Sequence, residues 1–266
     1  MKESAIGIFD SGIGGLTIAH SIKEKLPNES IIYFGDTKHL PYGEKSKGSI
    51  QKFSEQISRF LISKNCKSII IACNSASAVA YKQVKELTGN IPVFNVIDPV
   101  IKEVIKHPLY SKIGVIGTKA TIKSNIYNSK IKNEEISKEV YSLATPLLAP
   151  MIEEGFINEK IAEKIIQNYL EDPILEKIDS LILACTHYPL IINEIKKYYN
   201  NRIDVIDSAD IVSNFVYDKL ADLNLLRNSP SPKYNFYVSD YTESFEKSAR
   251  FFFQEKIKLE QVDIHE

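Results

Sequence analysis

Two patterns of apolar residues alternate along most of the chain. Short aliphatic runs, such as residues 5–9, are typical of strands buried in a parallel sheet. Between these runs the apolar residues recur every three or four positions, as at Leu16, Ala19 and Ile22, which indicates amphipathic helices. This alternation predicts an α/β fold in which a mostly parallel sheet is flanked by helices. The predicted strands are residues 5–9, 30–35, 69–71, 91–98, 112–118, 181–183 and 234–238.

The same order of elements occurs twice. Four pairs of residues at predicted strand ends lie at nearly one separation, which is hard to obtain by chance. The separations are 107, 108, 112 and 109 residues for Gly7 and Gly114, Thr37 and Thr145, Cys73 and Cys185, and Asp98 and Asp207. A duplicated α/β unit explains this spacing. The sequence therefore predicts two pseudo-symmetric domains with an active site in the cleft between them.

Cys73 and Cys185 occupy equivalent places in the two units. Each follows an aliphatic run and precedes a predicted helix, so each is expected at the carboxyl end of a strand, where open α/β sheets bind ligands. A helix N-terminus also lowers the pKa of a nearby thiol, which favours the reactive thiolate. The side chains suited to capping the two helices are Asn74, Ser75, Thr186 and His187.

Two thiols in pseudo-symmetric domains are expected to face each other across the cleft. That arrangement suits a reaction with a proton acceptor and a proton donor on opposite faces of one carbon atom, such as racemisation of an amino acid at Cα. Asp10, at the end of the first strand, and His187, two residues after Cys185, give each thiol an ionisable neighbour. The alternative for each cysteine is a small buried apolar residue, which is our interpretation of Cys66.

Composition narrows the class of protein further. The chain has 266 residues, a formal net charge of -1 and 44% hydrophobic residues, so we expect neither nucleic acid nor an anionic membrane as a partner. It has no apolar run of membrane-spanning length and no signal-peptide pattern, which favours a cytoplasmic protein. Its three cysteines lack C-x-x-C spacing, which argues against a disulfide framework.

The glycine-rich run after the first strand admits a different function. Gly12 and Gly14 resemble the start of a dinucleotide-binding motif, and Asp36 lies near the distance expected of a ribose-binding acid. Thr17 stands where the third glycine is required, so the motif is incomplete. The run then predicts only a helix N-terminus with accessible N–H groups, which suits an anion such as a carboxylate.

No arginine falls in any of these motifs, so an anionic substrate is expected to bind backbone N–H groups together with hydroxyl and amide side chains. These side chains are Ser11, Asn74, Ser75, Thr118, Thr121 and Thr186. A zinc site formed by Cys73, Cys185 and His187 is an alternative, but no further histidine or cysteine clusters with them in the sequence.

Five motifs, in order, resemble those of the glutamate racemases of the bacterial cell-wall pathway, within the aspartate/glutamate racemase superfamily. They are FDSGIGG (9–15), GDTKHLPYG (35–43), ACNSASA (72–78), IGT (116–118) and ACTHYPLI (184–191). The resemblance covers nearly the whole chain. It implies a racemase that needs no cofactor or metal, supplies D-glutamate for peptidoglycan and forms a homodimer.

The resemblance also implies residue roles and domain limits. The acid/base residues would be Cys73 and Cys185, assisted by Asp10, His187 and Glu153. The paired substrate contacts would be Asp10, Ser11, Tyr42, Gly43, Asn74, Ser75, Thr186 and His187. One domain would comprise residues 1–97 and 208–266 and the other residues 98–207. Ser75 stands where the family more commonly has threonine, which keeps the hydroxyl group.

The residues of these motifs leave two alternatives to a glutamate racemase open. A racemase of another acidic amino acid, such as aspartate, would keep both thiols. A non-catalytic protein with two lobes that close on an acidic amino acid would not need them.

Overall fold

The computed structural model describes residues 2–157 and 160–264. The strands are β1 (Ile6–Asp10), β2 (Ile31–Gly35), β3 (Ser68–Ile71), β4 (Val93–Asn95), β5 (Lys112–Gly117), β6 (Glu139–Ala144), β7 (Ser180–Ala184), β8 (Asp204–Ile206), β9 (Tyr234–Val238) and β10 (Leu259–Gln261). The helices are α1 (Leu16–Lys25), α2 (Lys47–Ser63), α3 (Asn74–Thr88), α4 (Ile97–Lys106), α5 (Lys119–Lys123), α6 (Ile126–Glu134), α7 (Leu148–Glu153), α8 (Lys160–Leu170), α9 (Ile192–Tyr198), α10 (Ser208–Asp222) and α11 (Glu243–Phe253). Short 3₁₀ helices cover Tyr42–Glu44, Pro173–Leu175 and Tyr188–Ile191.

The strands form two sheets with the same internal order. One sheet has the order β10, β9, β2, β1, β3, β4, and the other has the order β6, β5, β7, β8. Every pairing between described strands is parallel. The series β2, β1, β3, β4 therefore repeats as β6, β5, β7, β8, which confirms the predicted fold of two pseudo-symmetric α/β parts.

We call residues 2–95 with 234–264, which form the six-stranded sheet, the first half, and residues 112–206 the second half. Helices α4 and α10 run between the halves and pack against each other. The two domains implied by the resemblance, residues 1–97 with 208–266 and residues 98–207, stay a prediction. Within the described ranges, no helix combines the length and the apolar character needed to span a membrane.

The prediction of a strand over residues 91–98 is wrong in its length. β4 ends at Asn95, whose Oδ1 accepts hydrogen bonds from the backbone N–H groups of Ile97 and Asp98 at 2.9 and 2.8 Å. The first N–H groups of a helix have no hydrogen-bond partner within that helix. The Asn95 side chain supplies one for Ile97 and Asp98, so α4 starts at Ile97. The apolar run thus continues as a helix rather than as a strand.

The C-terminal segment forms the outer edge of the first sheet. β9 pairs with β2, with Tyr33 opposite Phe236 and Gly35 opposite Val238, and β10 pairs with β9. The sequence pattern does not predict β10, because Leu259 is its single buried residue. α11 packs on α1, with the Phe253 ring edge-on to His20, so the C-terminal segment also covers the first helix.

A buried ion pair joins segments at the amino ends of the first sheet's strands. The side chains of Lys67, which precedes β3, and Glu29, which precedes β2, are 0% and 2% exposed, and Nζ lies 2.5 Å from Oε2. Lys67 also donates hydrogen bonds of 2.8 Å to the carbonyl oxygens of Lys2 and Leu225. Burial lowers the pKa of Lys67, and the contact with Glu29 opposes that shift. Each buried charge therefore depends on the other.

Lys67→Met should lower the free energy of unfolding by about 3–5 kcal/mol, because it leaves the buried Glu29 carboxylate without its counter-charge. Urea unfolding followed by circular dichroism measures this difference. Lys82→Met is the matched control, since Lys82 is 92% exposed and lies 3.9 Å from Glu86; it should change stability by less than about 0.5 kcal/mol. Equal losses in the two variants would contradict the role assigned to the buried pair.

Candidate active site

The carboxyl edges of the two sheets face each other around a small cavity of ≈ 40 Å³. The first half contributes Ser11, Leu40, Pro41, Tyr42, Gly43, Cys73, Asn74 and Ser75 to its lining. The second half contributes Thr118, Ala149, Pro150, Glu153, Ala184, Cys185, Thr186 and His187. A cavity of this size holds only a few water molecules. A larger molecule therefore fits only after the residues around the cavity rearrange.

Cys73 lies between the end of β3 and the start of α3. Its own Sγ caps α3 by accepting a hydrogen bond from the backbone N–H of Ala76 at 3.5 Å. Burial raises the pKa of the Cys73 thiol to about 12, the charge of Asp10 adds to the effect, and hydrogen bonds from Ala76 and Ser11 oppose it. The hydrogen bond from Ala76 at the helix N-terminus lowers the pKa of this thiol as expected, but lost solvation outweighs it, so the predicted net shift towards the thiolate is wrong. Cys73 carries its proton at neutral pH.

Cys185 directly follows β7 and lies beside His187. The Cys185 Sγ is 3.6 Å from Nδ1 of His187, whose Nε2 is 2.7 Å from Oε1 of Glu153, the last residue of α7. Burial alone lowers the pKa of His187, but its contacts with Cys185 and with Glu153 raise that pKa to well above its usual value. Negative charge on Cys185 or on Glu153 therefore favours the protonated ring, and the protonated ring in turn stabilises that charge.

Asp10, the last residue of β1, is fully buried behind the cavity. Its Oδ2 accepts a hydrogen bond from the backbone N–H of Gly12 at 3.0 Å. Its Oδ1 has no hydrogen-bond partner among the residues that the structure describes. Burial raises the pKa of Asp10, although the charge of His187 and backbone N–H groups lower it. The Asp10 charge in turn raises the pKa of Cys73, as expected of close neighbours.

The glycine-rich run at residues 10–15 packs directly against the second half. A Cβ atom at Gly14 would lie 2.3 Å from Cε1 of His187 and 2.7 Å from Oγ1 of Thr186, so a larger residue would displace His187. Thr17 donates from Oγ1 to the backbone oxygen of Thr186 at 3.1 Å. The threonine that replaces the third glycine of a dinucleotide motif thus holds the loop that follows Cys185.

Three hydroxyl groups from the two halves meet at the cavity. Ser75 Oγ lies 2.8 Å from Thr118 Oγ1 and 3.3 Å from Thr121 Oγ1. Thr118 also caps α5, because its Oγ1 accepts a hydrogen bond from the backbone N–H of Thr121. A hydroxyl group can rotate between donating and accepting. These hydroxyls can therefore exchange their mutual bonds for bonds to an anionic ligand.

The GDTKHLPYG motif supplies Tyr42 and Gly43. The Tyr42 hydroxyl donates to Oδ2 of Asp36 at 2.6 Å, and Ser239 donates to Oδ1 of the same carboxylate at 2.7 Å. Asp36 is fully buried in these contacts, so it supports Tyr42 rather than a ribose. A Cβ atom at Gly43 would lie 2.7 Å from Cβ of Thr118, so this glycine lets the two halves approach.

The structure brings the predicted site residues together. All of them line the cavity except Asp10 and Thr121, which lie directly behind it. Among the described residues, no group of three or more histidine, cysteine and acidic side chains is arranged to hold a metal ion.

Sequence reasoning missed two sets of residues at this site. The apolar lining residues are Leu40, Pro41, Ala149, Pro150 and Ala184. Leu40, Pro41 and Ala184 lie inside the motifs, which could have located them, and Ala149 and Pro150 lie a few positions before the predicted Glu153. Tyr127 donates a hydrogen bond to Asn74, and Phe252 meets the His187 ring edge-on with centroids 5.2 Å apart. No sequence signal finds these two, because each lies in an ordinary amphipathic helix.

Known proteins share this sequence and this fold. The model of the family described as Asp/Glu/Hydantoin racemase matches residues 15–216. Glutamate racemase 3 from Caldanaerobacter subterraneus subsp. tengcongensis is 38% identical over 265 residues, which are 99% of this chain and 96% of that protein. The chain belongs to the Asp/Glu/Hydantoin racemase family. This result confirms the resemblance drawn from the five motifs.

Solved structures place the chain more closely within the Asp/Glu/Hydantoin racemase family. Glutamate racemase from Francisella tularensis subsp. tularensis, solved in complex with D-glutamate, is 41% identical with a TM-score of 0.93, covering 100% of this chain and 99% of that one. Aspartate racemase from Picrophilus torridus is 20% identical with a TM-score of 0.58, covering 84% of this chain and 98% of that one. The second likeness shows a shared fold alone.

Glu153→Gln should lower the pKa of His187, because the amide keeps the size of the side chain but removes the negative charge that favours the protonated ring. The pH dependence of the His187 ring signals in NMR spectra measures this pKa. Glu154→Gln is the matched control, since Glu154 is exposed and next in sequence, and it should leave the titration of His187 unmoved. An unchanged titration in Glu153→Gln would show that the carboxylate does not hold the proton on the ring.

Proposed function

We propose that this protein is a cofactor-independent racemase that interconverts L-glutamate and D-glutamate by proton transfer at Cα. The observation that carries the proposal is the position of Cys73 and Cys185, which follow the equivalent strands β3 and β7 on the two sides of one cavity. Glutamate racemase is also the activity named for the relatives from Caldanaerobacter subterraneus and Francisella tularensis, which this chain matches over almost its whole length.

The reaction uses the two thiols in turn. In one direction the Cys185 thiolate removes the Cα proton and becomes a thiol, and the electron pair left on Cα is delocalised into the substrate α-carboxylate. Cys73 then delivers its own proton to the opposite face of Cα and becomes a thiolate. The configuration inverts, and only protons are exchanged. The other enantiomer reacts with the two roles reversed.

The two thiols have different ionisable side chains beside them, which assist proton transfer in different ways. Protonated His187, with its ring 3.6 Å from Sγ, stabilises a thiolate at Cys185, and Glu153 keeps the ring protonated. Asp10 lies beside Cys73, and burial raises the pKa of both groups. A carboxylate with a raised pKa is a stronger base, so Asp10 accepts the proton of Cys73 when that thiol must act as the base.

Unpaired polar atoms at the site match the charged groups of an amino acid. Nδ2 of Asn74 is a buried donor and Oδ1 of Asp10 is a buried acceptor, and neither has a partner among the described residues. We assign a substrate carboxylate to Asn74 and the substrate ammonium to Asp10, since burying either polar atom unpaired is costly. The remaining proposed substrate contacts are Ser11, Tyr42, Gly43, Ser75, Thr118, Thr121, Thr186 and His187.

The family resemblance supports a cellular context for this activity. We propose that the D-glutamate is used for peptidoglycan, that the protein acts in the cytoplasm and that it forms a homodimer. We expect no metal, nucleic acid or membrane to take part in the reaction.

Proton NMR in D₂O tests the activity directly. The purified protein should remove the Cα–H signal of L-glutamate and of D-glutamate, with loss of optical purity and without added cofactor. Aspartate measured in parallel distinguishes the two acidic substrates. No exchange with either enantiomer of glutamate would overturn the proposal, and exchange with aspartate instead would correct the substrate.

Cys73→Ser and Cys185→Ser should each lower kcat by at least about 10²-fold, because serine is a far weaker acid than cysteine and general acid–base catalysis contributes about 10²–10⁴-fold. Circular dichroism checks that each variant is folded. Cys66→Ala is the control, since Cys66 is buried and lies outside the cavity lining, and it should keep near-normal turnover. Normal turnover by either serine variant would exclude the mechanism with two thiols.

A further inference from the structure

Tyr127 joins the two halves beside one of the thiols. It lies in α6 of the second half, its side chain is buried, and its hydroxyl donates a hydrogen bond of 2.7 Å to Oδ1 of Asn74. Asn74 is the first residue of α3 in the first half and directly follows Cys73. Tyr127 of the second half therefore makes a polar contact with Asn74, which lines the cavity on the side of the first half.

The hydrogen bond from Tyr127 gives the Asn74 amide one orientation. Burial raises the pKa of Tyr127 well above its usual value, so the hydroxyl keeps its proton and donates it to an acceptor. With the amide reversed, the hydroxyl would accept from Nδ2, and its own proton would have no acceptor among the described residues. The oxygen of Asn74 therefore faces Tyr127. The NH₂ group is left buried and unpaired.

Other contacts hold α6 in place for this bond. Lys130, which is three residues after Tyr127 and shares its face of the helix, lies 2.5 Å from Oδ1 of Asp98 in α4. Asn95, at the end of β4, donates from Nδ2 to the same carboxylate at 2.8 Å. One face of α6 thus contacts the starts of both α3 and α4, so the position of Tyr127 depends on how the two halves fit together.

We infer that Tyr127 is a positioning residue, whose hydroxyl orients the Asn74 amide so that Nδ2 donates to a carboxylate of the bound amino acid. This inference deepens the proposed racemase function and depends on it. Because the bond crosses between the halves, it orients the donor only while the two halves keep this contact. The hydrogen bond of Tyr127 goes to Asn74 and not to a thiol, although the charge of Cys185 acts on its pKa. We therefore expect its main effect on substrate binding rather than on proton transfer.

Tyr127→Phe removes the hydroxyl and keeps the ring. We expect KM for both enantiomers of glutamate to rise about two- to tenfold, as for the loss of one buried hydrogen bond, while kcat changes less than about twofold. Tyr199→Phe is the matched control, because Tyr199 is also buried, its hydroxyl has no partner among the described residues, and it lies outside the cavity lining. This control should leave KM and kcat unchanged.

A double-mutant cycle separates positioning from a general structural role. If Tyr127 acts through Asn74, then Tyr127→Phe should raise KM no further once Asn74→Ala is present. A structural role would instead give additive losses and a lower melting temperature. Where turnover is too slow, the Kd for D-glutamate from calorimetry allows the same comparison.

The outcomes distinguish this inference from the function on which it depends. The unmodified protein could racemise glutamate while Tyr127→Phe leaves KM unchanged, or while the effects in the cycle are additive. Either result would overturn the positioning role alone. Failure of the unmodified protein to racemise glutamate would overturn the proposed function and the role of Tyr127 with it.

Discussion

The candidate site depends on the close approach of two sheet edges. At Gly14 and Gly43 a Cβ atom would lie 2.3 Å from the His187 ring and 2.7 Å from Thr118, so glycine is needed at both contacts. Each contact joins a loop of the first half to a residue beside the cavity in the second. Together they keep the cavity small, and the little room left for water strengthens the charge interactions inside it. A wider gap would weaken those interactions.

Different neighbouring residues make the two pseudo-symmetric thiols chemically different. The sheet units repeat, but the residue two positions after Cys73 is Ser75, whereas the residue two positions after Cys185 is His187. Cys73 lies near a buried carboxylate, and its pKa is raised to about 12. Cys185 lies beside the imidazole of His187, whose pKa is raised by its contacts with Cys185 and with Glu153. One duplicated scaffold thus gives its two thiols different surroundings.

The C-terminal segment supports the site although none of the five motifs falls within it. Phe252 of α11 packs edge-on against His187, which limits the movement of that ring. Ser239, directly after β9, donates to Asp36, which in turn accepts from Tyr42 at the cavity. The cavity lining of the first half is therefore held by residues that lie about two hundred positions away along the chain.

Local sequence pattern specifies the α/β elements, their duplication and the positions of Cys73 and Cys185 after equivalent strands, because periodicity and the residues after each strand carry that information. It misjudged the length of β4, where the Asn95 cap outcompetes the strand, and the direction of the pKa shift of Cys73. Contacts such as Tyr127 with Asn74 become visible only in the folded chain. They join residues distant in sequence, and their strength depends on burial, which no short segment encodes.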